Sequence, residues 1–155
     1  MDQGFSLSEM NRRLANLIRL GTVIEADYQK ARVKIQIGPI TTQWLPWITS
    51  NASHSKNWNA PEIGEQVLVL SPSGEMSQGT VIRGIYQQKH TAPNNNVDVQ
   101  HMEFKDGSTI NYDRANHHFN LDVTKAGSIT LKVGSSTIEM NQDKIVLKAN
   151  KIELN

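Results

Sequence analysis

The side chains of this sequence that could do chemistry are histidines, carboxylates and tryptophans, and their spacing matches no common catalytic motif. The chain of 155 residues has no cysteine, which excludes a thiolate nucleophile, a thiolate zinc site and a disulfide framework. No His-Glu-x-x-His pattern, phosphate-binding loop or nucleophile elbow is present. Among the 15 acidic residues, no pair stands out as the general acid and base of a glycosidase. We therefore expect a protein that is not an enzyme.

The five histidines do not form an obvious metal site. His117 and His118 are adjacent, and adjacent residues of a strand project to opposite faces, so the pair cannot bind one ion within one chain. The others fall in loop or linker sequence, where solvation is expected: His54, His90 and His101. No cofactor is expected.

Three tryptophans could offer stacking surfaces to nucleic-acid bases or sugar rings: Trp44, Trp47 and Trp58. Arg32 and Lys34 could contact phosphates beside them, so an oligonucleotide- or oligosaccharide-binding barrel is the alternative function. The formal net charge is only +1 with both signs interspersed, which gives no electrostatic reason to expect nucleic acid. We prefer tryptophans that pack within a barrel or between copies of the chain, because two of them flank Leu45-Pro46 as a packing motif would.

The first element is predicted to be an amphipathic helix from about Ser8 to Leu20. Ser6 and Glu9 have capping-box spacing, and Gly21 is a typical helix stop. Apolar residues recur along it at helical intervals: Leu7, Met10, Leu14, Leu17 and Ile18. We expect this stripe to lie on the helix's own domain. A docking helix for a larger assembly is the alternative.

Residues 22–86 change to short alternating runs that predict five strands. The first two form a hairpin joined at Asp27 to Lys30. The third, TTQWLPWIT, carries Pro46, so it is expected to be bent or peripheral. The last two, GEQVLVLSP and QGTVIRGIY, are linked by turn residues 71–74. Five short strands in succession predict a small closed or nearly closed barrel.

The tail, residues 127–155, predicts further short strands, each with two or three apolar side chains on one face. A ribbon of such strands is marginal in water by itself. Hydrophobic residues make up only 37% of the chain and no disulfide is available to hold the tail. Its apolar face must therefore pack against another surface.

Residues 11–86 contain four stretches in succession: NRRLANLIRLGTVIEAD, RVKIQIG, TQWLPWIT and PEIGEQVLVLSPSGEMSQGTVIRGIY. In their order and spacing they resemble the N-terminal half of phage baseplate assembly protein V, the central spike of contractile tails. MEFKDGSTINYD, with a tight Asp106-Gly107 turn, is similar to the segment that leads into the needle of that family. The resemblance implies an all-β fold made of an N-terminal helix (1–20), an OB-fold barrel (21–86), a linker (87–101) and a needle (102–155). The needle would be an intertwined β-helix of three chains.

In such a trimer, alternate apolar residues of the needle would meet their equivalents from the other two chains. This predicted trimer core consists of Phe119, Leu121, Val123, Ile129, Leu131, Val133, Ile138, Met140, Ile145, Leu147, Ile152 and Leu154. His117 shares their alternation, so three copies of it would form an axial ring. Three imidazolium charges would repel, which predicts neutral packed rings, with a bound anion or a metal as alternatives. A monomeric solenoid is the alternative architecture.

The resemblance also implies a mechanical role. The chain would be the trimeric spike of a tail baseplate and would pierce the host outer membrane during tail contraction. Its partners would be baseplate hub and tail proteins, with transient contact to the outer membrane and none to nucleic acid. No signal peptide and no run of 18 apolar residues is present, so we expect assembly in the host cytoplasm before incorporation into the virion.

The last feature concerns the tip. Spikes of this family commonly end in an apex domain whose His-x-His pair holds iron, and no histidine follows His118 here. The iron site is therefore not expected. Ile152 and Leu154 would form the last apolar layer, at an open end that suits a separate tip protein. A natural chain that continues beyond Asn155 is the alternative.

Overall fold

A computed structural model describes residues 3–124 and 126–153. The chain divides into two compact units, Met1–Thr91 (unit 1) and Ala92–Asn155 (unit 2). Unit 1 contains α1 (Gln3–Asn16), β1 (Ile18–Asp27), β2 (Arg32–Ile37), β3 (Ile40–Thr41), β4 (Gln66–Leu70), two short 3-10 helices (Pro72–Gly74 and Met76–Gln78) and β5 (Thr80–Ile85). Unit 2 contains β6 (Val99–Glu103), β7 (Thr109–Asp113), β8 (His118–Asp122), β9 (Ser128–Val133), β10 (Ser136–Asn141) and β11 (Ile145–Lys148). The prediction of a mostly β protein with one helix is confirmed.

The helix α1 begins and ends earlier than predicted. It spans Gln3–Asn16, and β1 follows at Ile18. The predicted end at Leu20 is wrong because Ile18 and Leu20 pair with Leu70 and Leu68 in the antiparallel ladder between β1 and β4. That ladder gives the backbone groups of residues 18–20 long-range partners, whereas a longer helix would compete for the same groups. Within the described residues, no helix is both long enough and apolar enough to span a membrane.

The polar side chains of α1 also differ from the prediction. Glu9 does not form a capping box with Ser6, which lies inside the helix. Its carboxylate instead accepts from Arg12 Nε at 2.8 Å and from Arg13 Nε at 2.7 Å. These two hydrogen bonds lower the pKa of Glu9 to about 2, with the bond from Arg12 as the largest cause. Glu9, Arg12 and Arg13 therefore form an ion-pair cluster within the helix.

The apolar stripe of α1 does not lie on its own unit. Leu7, Met10 and Leu14 are 55%, 58% and 66% exposed, so the expectation of a buried stripe is wrong. The helix meets the unit near its C-terminal end, where the backbone of Arg13 lies against Gly74. A Cβ added to Gly74 would stand 2.2 Å from the Arg13 carbonyl oxygen.

Unit 1 is built on one antiparallel sheet of five strands in the order β3-β2-β1-β4-β5. The predicted hairpin is confirmed, since β1 and β2 pair as far as Asp27 and Arg32 next to the turn. Valine and isoleucine side chains of the sheet and one leucine from the segment after β3 form the core: Val23, Val33, Ile35, Ile37, Leu45, Val67, Val69 and Val81. Each of these is at most 2% exposed, so this small core holds unit 1 together.

The third predicted strand is bent, as the proline in it indicated. After β3 it makes only isolated bridges, from Leu45 to Val33 on β2 and from Trp47 to Val81 on β5. Pro46 has no N–H to donate, and its carbonyl oxygen accepts from Val81 N at 2.9 Å. Among the described residues no ladder joins β3 to β5, so the sheet is not closed and the bridges alone span the gap.

The described residues of unit 2 form two antiparallel sheets, each of three strands, in the orders β6-β7-β8 and β11-β10-β9. The predicted Asp106-Gly107 turn is confirmed: Gly107 has φ 88°, which favours glycine, and Asp106 Oδ1 accepts from Ser108 N at 2.9 Å. Of the fourth strand predicted for the tail, Ile152 lies in no strand, and Leu154 lies outside the described residues. Each sheet of the single chain is therefore a simple meander.

Candidate assembly interface

The sheet of β9, β10 and β11 gathers its apolar residues on one face. Ile138 on β10 lies opposite Leu131 on β9 and opposite Leu147 on β11. Because side chains alternate along each strand, the register places seven predicted core residues on this face: Ile129, Leu131, Val133, Ile138, Met140, Ile145 and Leu147. We call it the distal apolar face.

The two faces of this sheet differ sharply in chemistry. On the other face, Thr137 lies between Lys132 and Lys148, and Glu139 lies opposite Thr130. The distal apolar face nevertheless has no cover in the single chain: its large side chains are 42–83% exposed apart from the half-buried Ile129. Soluble proteins rarely expose a contiguous apolar patch of this kind unless it binds a partner.

The sheet of β6, β7 and β8 repeats the arrangement. Phe119 lies opposite Tyr112, and Leu121 lies opposite Ile110, which in turn faces Met102. Phe119 is 64% exposed, while Tyr112 and Leu121 are each 39% exposed. We call this set the proximal apolar face.

Three members of the proximal apolar face were missed by the sequence analysis: Met102, Ile110 and Tyr112. The sequence does contain the information that identifies them. Apolar residues alternate on both arms of the Asp106-Gly107 turn, and the turn sets which of them pair across the hairpin. Placing all three beside Phe119 and Leu121 requires the alternation within each strand together with the register that the two turns set.

Three predicted core residues do not lie on these faces by strand alternation. Val123 follows β8 and is half-buried. Ile152 follows β11 and is 48% exposed. Leu154 lies outside the described residues. Their place in a trimer core and at its tip stays a prediction.

His117 lies in the turn between β7 and β8, with φ 53° in the left-handed region. Asp113 organises this turn by accepting from Asn116 Nδ2 at 2.8 Å and from Ala115 N at 2.9 Å. The hydrogen bond from the Asn116 side chain is the main cause that lowers the pKa of Asp113. Strand alternation begins only at His118 and does not extend to His117. The axial ring of His117 therefore stays a prediction, and strand alternation does not support it.

The tryptophans of unit 1 form packing contacts. Trp47 packs against the core, and its ring meets that of Trp58 edge-on, with centroids 5.6 Å apart. The Nζ atom of Lys34 lies 4.8 Å from the centre of the Trp44 ring and 3.0 Å from Glu25 Oε1. Trp47 is thus engaged in packing, whereas Trp44 and Trp58 remain 40% and 64% exposed.

A groove of about 370 Å³ in unit 1 has a part-buried ion pair in its wall. Arg83 Nε lies 3.1 Å from Glu65 Oε1, and the two side chains are 24% and 16% exposed. Glu65 also accepts from the backbone N–H groups of Gly84 at 3.1 Å and Glu62 at 3.0 Å. These donors make Glu65 a structural carboxylate that ties the residue before β4 to β5. Across residues 3–124 and 126–153, no three His, Asp or Glu side chains are placed to hold a metal ion.

Comparison with known proteins identifies the family. The family model for the type VI secretion system/phage-baseplate injector OB domain matches residues 19–86. The chain is also 33% identical over 145 residues to the spike protein of Escherichia phage P2, a match that covers 94% of this chain and 67% of the relative. The chain belongs to the phage-baseplate spike family.

Membership in the phage-baseplate spike family confirms the resemblance drawn from the sequence and gives the chain a structural role in the virion tail baseplate. The segment matched as an OB domain contains the core and all five strands of the unit 1 sheet, apart from the first residue of β1. The proximal and distal apolar faces follow it in the chain, in unit 2. In this baseplate spike they are the surfaces that most need a partner.

Proposed function

We propose that three copies of this chain associate through the apolar faces of unit 2 and form the needle of a baseplate spike. The observation that carries the proposal is that each sheet of unit 2 has one apolar face, open to solvent, and one largely polar face. A sheet of three strands with an uncovered apolar face is marginal by itself. Three copies around one axis would give each apolar face a partner of the same chemistry, with the polar faces outward.

The exposed side chains are sufficient to drive this association. Eight predicted core residues are 39–83% exposed in the single chain: Phe119, Leu121, Leu131, Val133, Ile138, Met140, Ile145 and Leu147. Burying the exposed half of one such side chain contributes about 1 kcal/mol. Because every copy contributes all of them, folding of unit 2 and trimer formation are expected to be a single event.

The sheet edges favour an intertwined β-helix, in which strands of different chains pair, over a trimer in which separate sheets only pack face to face. Strands β6, β8, β9 and β11 each lie at a sheet edge, with one row of backbone groups unpaired by a neighbouring strand. Such edges are liable to aggregate unless they are paired or covered. Pairing between chains would use these groups and make the needle one continuous, stiff structure.

The proposed action of the spike is mechanical. Tail contraction would drive the needle through the host outer membrane, which it would contact only transiently, while unit 1 faces the baseplate hub and tail proteins. The needle would be assembled in the host cytoplasm and would act without catalysis, cofactor or nucleic acid. A separate tip protein at the C-terminal end, near Ile152, belongs to the same proposal. The relative from Escherichia phage P2 is named a spike protein, and this name supports a structural role rather than an enzymatic one.

The mass of the purified protein in solution tests the proposal most directly. Light scattering should give three times the chain mass of 17.4 kDa, and the assembly should resist dissociation by detergent. A chain that stays monomeric in native buffer would overturn the proposal. Elemental analysis of the same sample should find no stoichiometric iron.

A further inference from the structure

A second uncovered apolar surface lies in unit 1, at the N-terminal end. Its six large side chains are 36–66% exposed: Leu7, Met10, Leu14, Leu17, Ile18 and Leu20. We call it the N-terminal apolar surface. It spans the outer side of α1 and the first residues of β1, and it is separate in sequence from the faces of unit 2.

Contacts outside the apolar stripe hold α1 on unit 1. Asn16 is buried at 8% exposure, and the backbone of Arg13 is held against Gly74. The chain is pinned again just after the helix, where the Leu17 carbonyl oxygen accepts from Ser71 N at 2.8 Å. The helix is therefore docked by its polar side, and its apolar stripe is free to meet another molecule.

The first residues of β1 add two more exposed apolar side chains. Arg19 lies opposite the buried core residue Val69, so its neighbours Ile18 and Leu20 project from the outer face of the sheet. They are 61% and 55% exposed.

The spacing of the stripe suits association of like helices. Leu7, Met10 and Leu14 are separated by three and four positions, the spacing of a coiled-coil seam, and Leu17 comes directly after the helix, which ends at Asn16. The positions that flank such a seam carry Ser6, Asn11 and Arg13, and Arg13 is already paired with Glu9 in its own helix at 2.7 Å. Parallel copies would therefore bring no unpaired like charges against the seam.

We propose that the N-terminal apolar surface is a contact between the unit 1 domains of copies of this same chain. This inference rests on the proposed trimer of unit 2. Burial of six half-exposed apolar side chains contributes a free energy of the same order as the entropy cost of bringing free molecules together. Copies already held together by unit 2 have a high effective concentration and avoid most of that cost, whereas a separate partner would incur it in full. A second copy is therefore the occupant that this surface favours.

Cysteine cross-linking tests the contact cleanly, because the chain has no cysteine of its own. Full-length Leu14→Cys is compared with Arg12→Cys, which places the thiol on the opposite side of α1 at a similarly exposed position (66% and 54%). Both are treated at dilute concentration with a short bismaleimide cross-linker and separated on a denaturing gel. A bismaleimide joins two thiols, so in a threefold contact two of the three chains can be cross-linked. About two thirds of the Leu14→Cys chains should therefore run as dimers. For Arg12→Cys the fraction should be roughly a tenth or less, since its thiols are too far apart.

The outcomes separate this inference from the proposed function. If light scattering shows the trimer mass but Leu14→Cys cross-links no better than Arg12→Cys, the N-terminal apolar surface faces a different partner and the inference is overturned. If the protein is a monomer, the proposed function fails first. Leu7→Cys serves as a second position on the same stripe, so a folding defect specific to one variant does not decide the result.

Discussion

Ile138 on β10 lies directly opposite Leu131 on β9, while the next residue, Glu139, lies opposite Thr130 on the other face of the same sheet. Two adjacent positions therefore test which face is shared between chains. An Ile138→Asp substitution would place one carboxylate per chain in the proposed core, where three unpaired charges would be buried together. Desolvation of these charges should abolish the trimer, and light scattering should then report the single-chain mass.

The matched control for that experiment is Glu139→Lys, which changes a charge on the outward face by two units. It should leave the trimer intact and change the free energy of unfolding, measured by thermal denaturation, by no more than about 0.5 kcal/mol. Equal loss of trimer from both substitutions would show that the distal apolar face is not the shared one.

The carboxylate of Glu65 should be the most sensitive charged group of unit 1. Glu65→Ala leaves the Arg83 guanidinium and two backbone N–H groups without their acceptor in a part-buried site. We expect a loss of about 2 to 4 kcal/mol in the free energy of unfolding. Urea unfolding followed by tryptophan fluorescence reports on this unit, because all three tryptophans of the chain lie in it.

The comparison for Glu65 is Glu25, whose partner Lys34 lies at 3.0 Å in a more open pair. Glu25 is 51% exposed, so Glu25→Ala should cost no more than about 1 kcal/mol. A Glu65→Ala variant as stable as Glu25→Ala would mean that the groove wall does not depend on this ion pair.

Gly74 should be essential for docking α1. It has φ 71° and leaves no room for a Cβ beside the Arg13 backbone. Gly74→Ala should therefore displace the helix, which trypsin would detect as faster cleavage after Arg12 and Arg13, with a loss of about 2 kcal/mol or more. Gly38→Ala is the control, because Gly38 has φ 58° but nothing within 4 Å of an added Cβ. That substitution should lower the free energy of unfolding by only about 1 kcal/mol and leave the rate of trypsin cleavage unchanged.

Protonation of Glu9 should weaken the N-terminal helix only in acid. Its pKa falls from the ordinary 4.5 to about 2, chiefly through the hydrogen bond from Arg12. A lowered pKa in the folded state means that the stabilisation is complete above pH 4.5 and is lost as the pH falls from 4.5 through about 2. Carboxyl NMR should give a Glu9 midpoint near 2 in the intact chain and a higher one in Arg12→Gln. A midpoint near 4.5 in the intact chain would contradict the observed pairing.

Local patterns are enough to predict several elements and most of the candidate interface. Alternation along the tail places Ile138 and Glu139 on opposite faces, and the register of β9, β10 and β11 agrees. The hairpin of β1 and β2 and the Asp106-Gly107 turn also follow from local sequence. These features depend on a period of two along a strand and on the backbone freedom of glycine, which are properties of neighbouring residues.

Alternation is less informative where a turn interrupts it. Counting back from Phe119 assigns a face to His117, yet the backbone of His117 lies in the left-handed region before β8 begins. Met102, Ile110 and Tyr112 were missed for a related reason, because their place beside Phe119 depends on pairing across two turns. Register between strands is set by the turns that join them, so a count along one strand does not carry over to the next.

The sequence by itself determined which residues of each unit 2 strand share a face, because side-chain direction follows position along a strand. The end of α1 and the side on which it docks were decided only by the tertiary structure. Leu14, Leu17 and Ile18 have helical spacing, whereas Ile18 and Leu20 have strand spacing, so local pattern leaves the element of Ile18 open. The ladder to Leu68 and Leu70 settles the choice from more than 45 positions away in the chain. The close approach of the Arg13 backbone to Gly74, which a side chain at position 74 would prevent, holds the helix in a position that leaves its apolar stripe exposed.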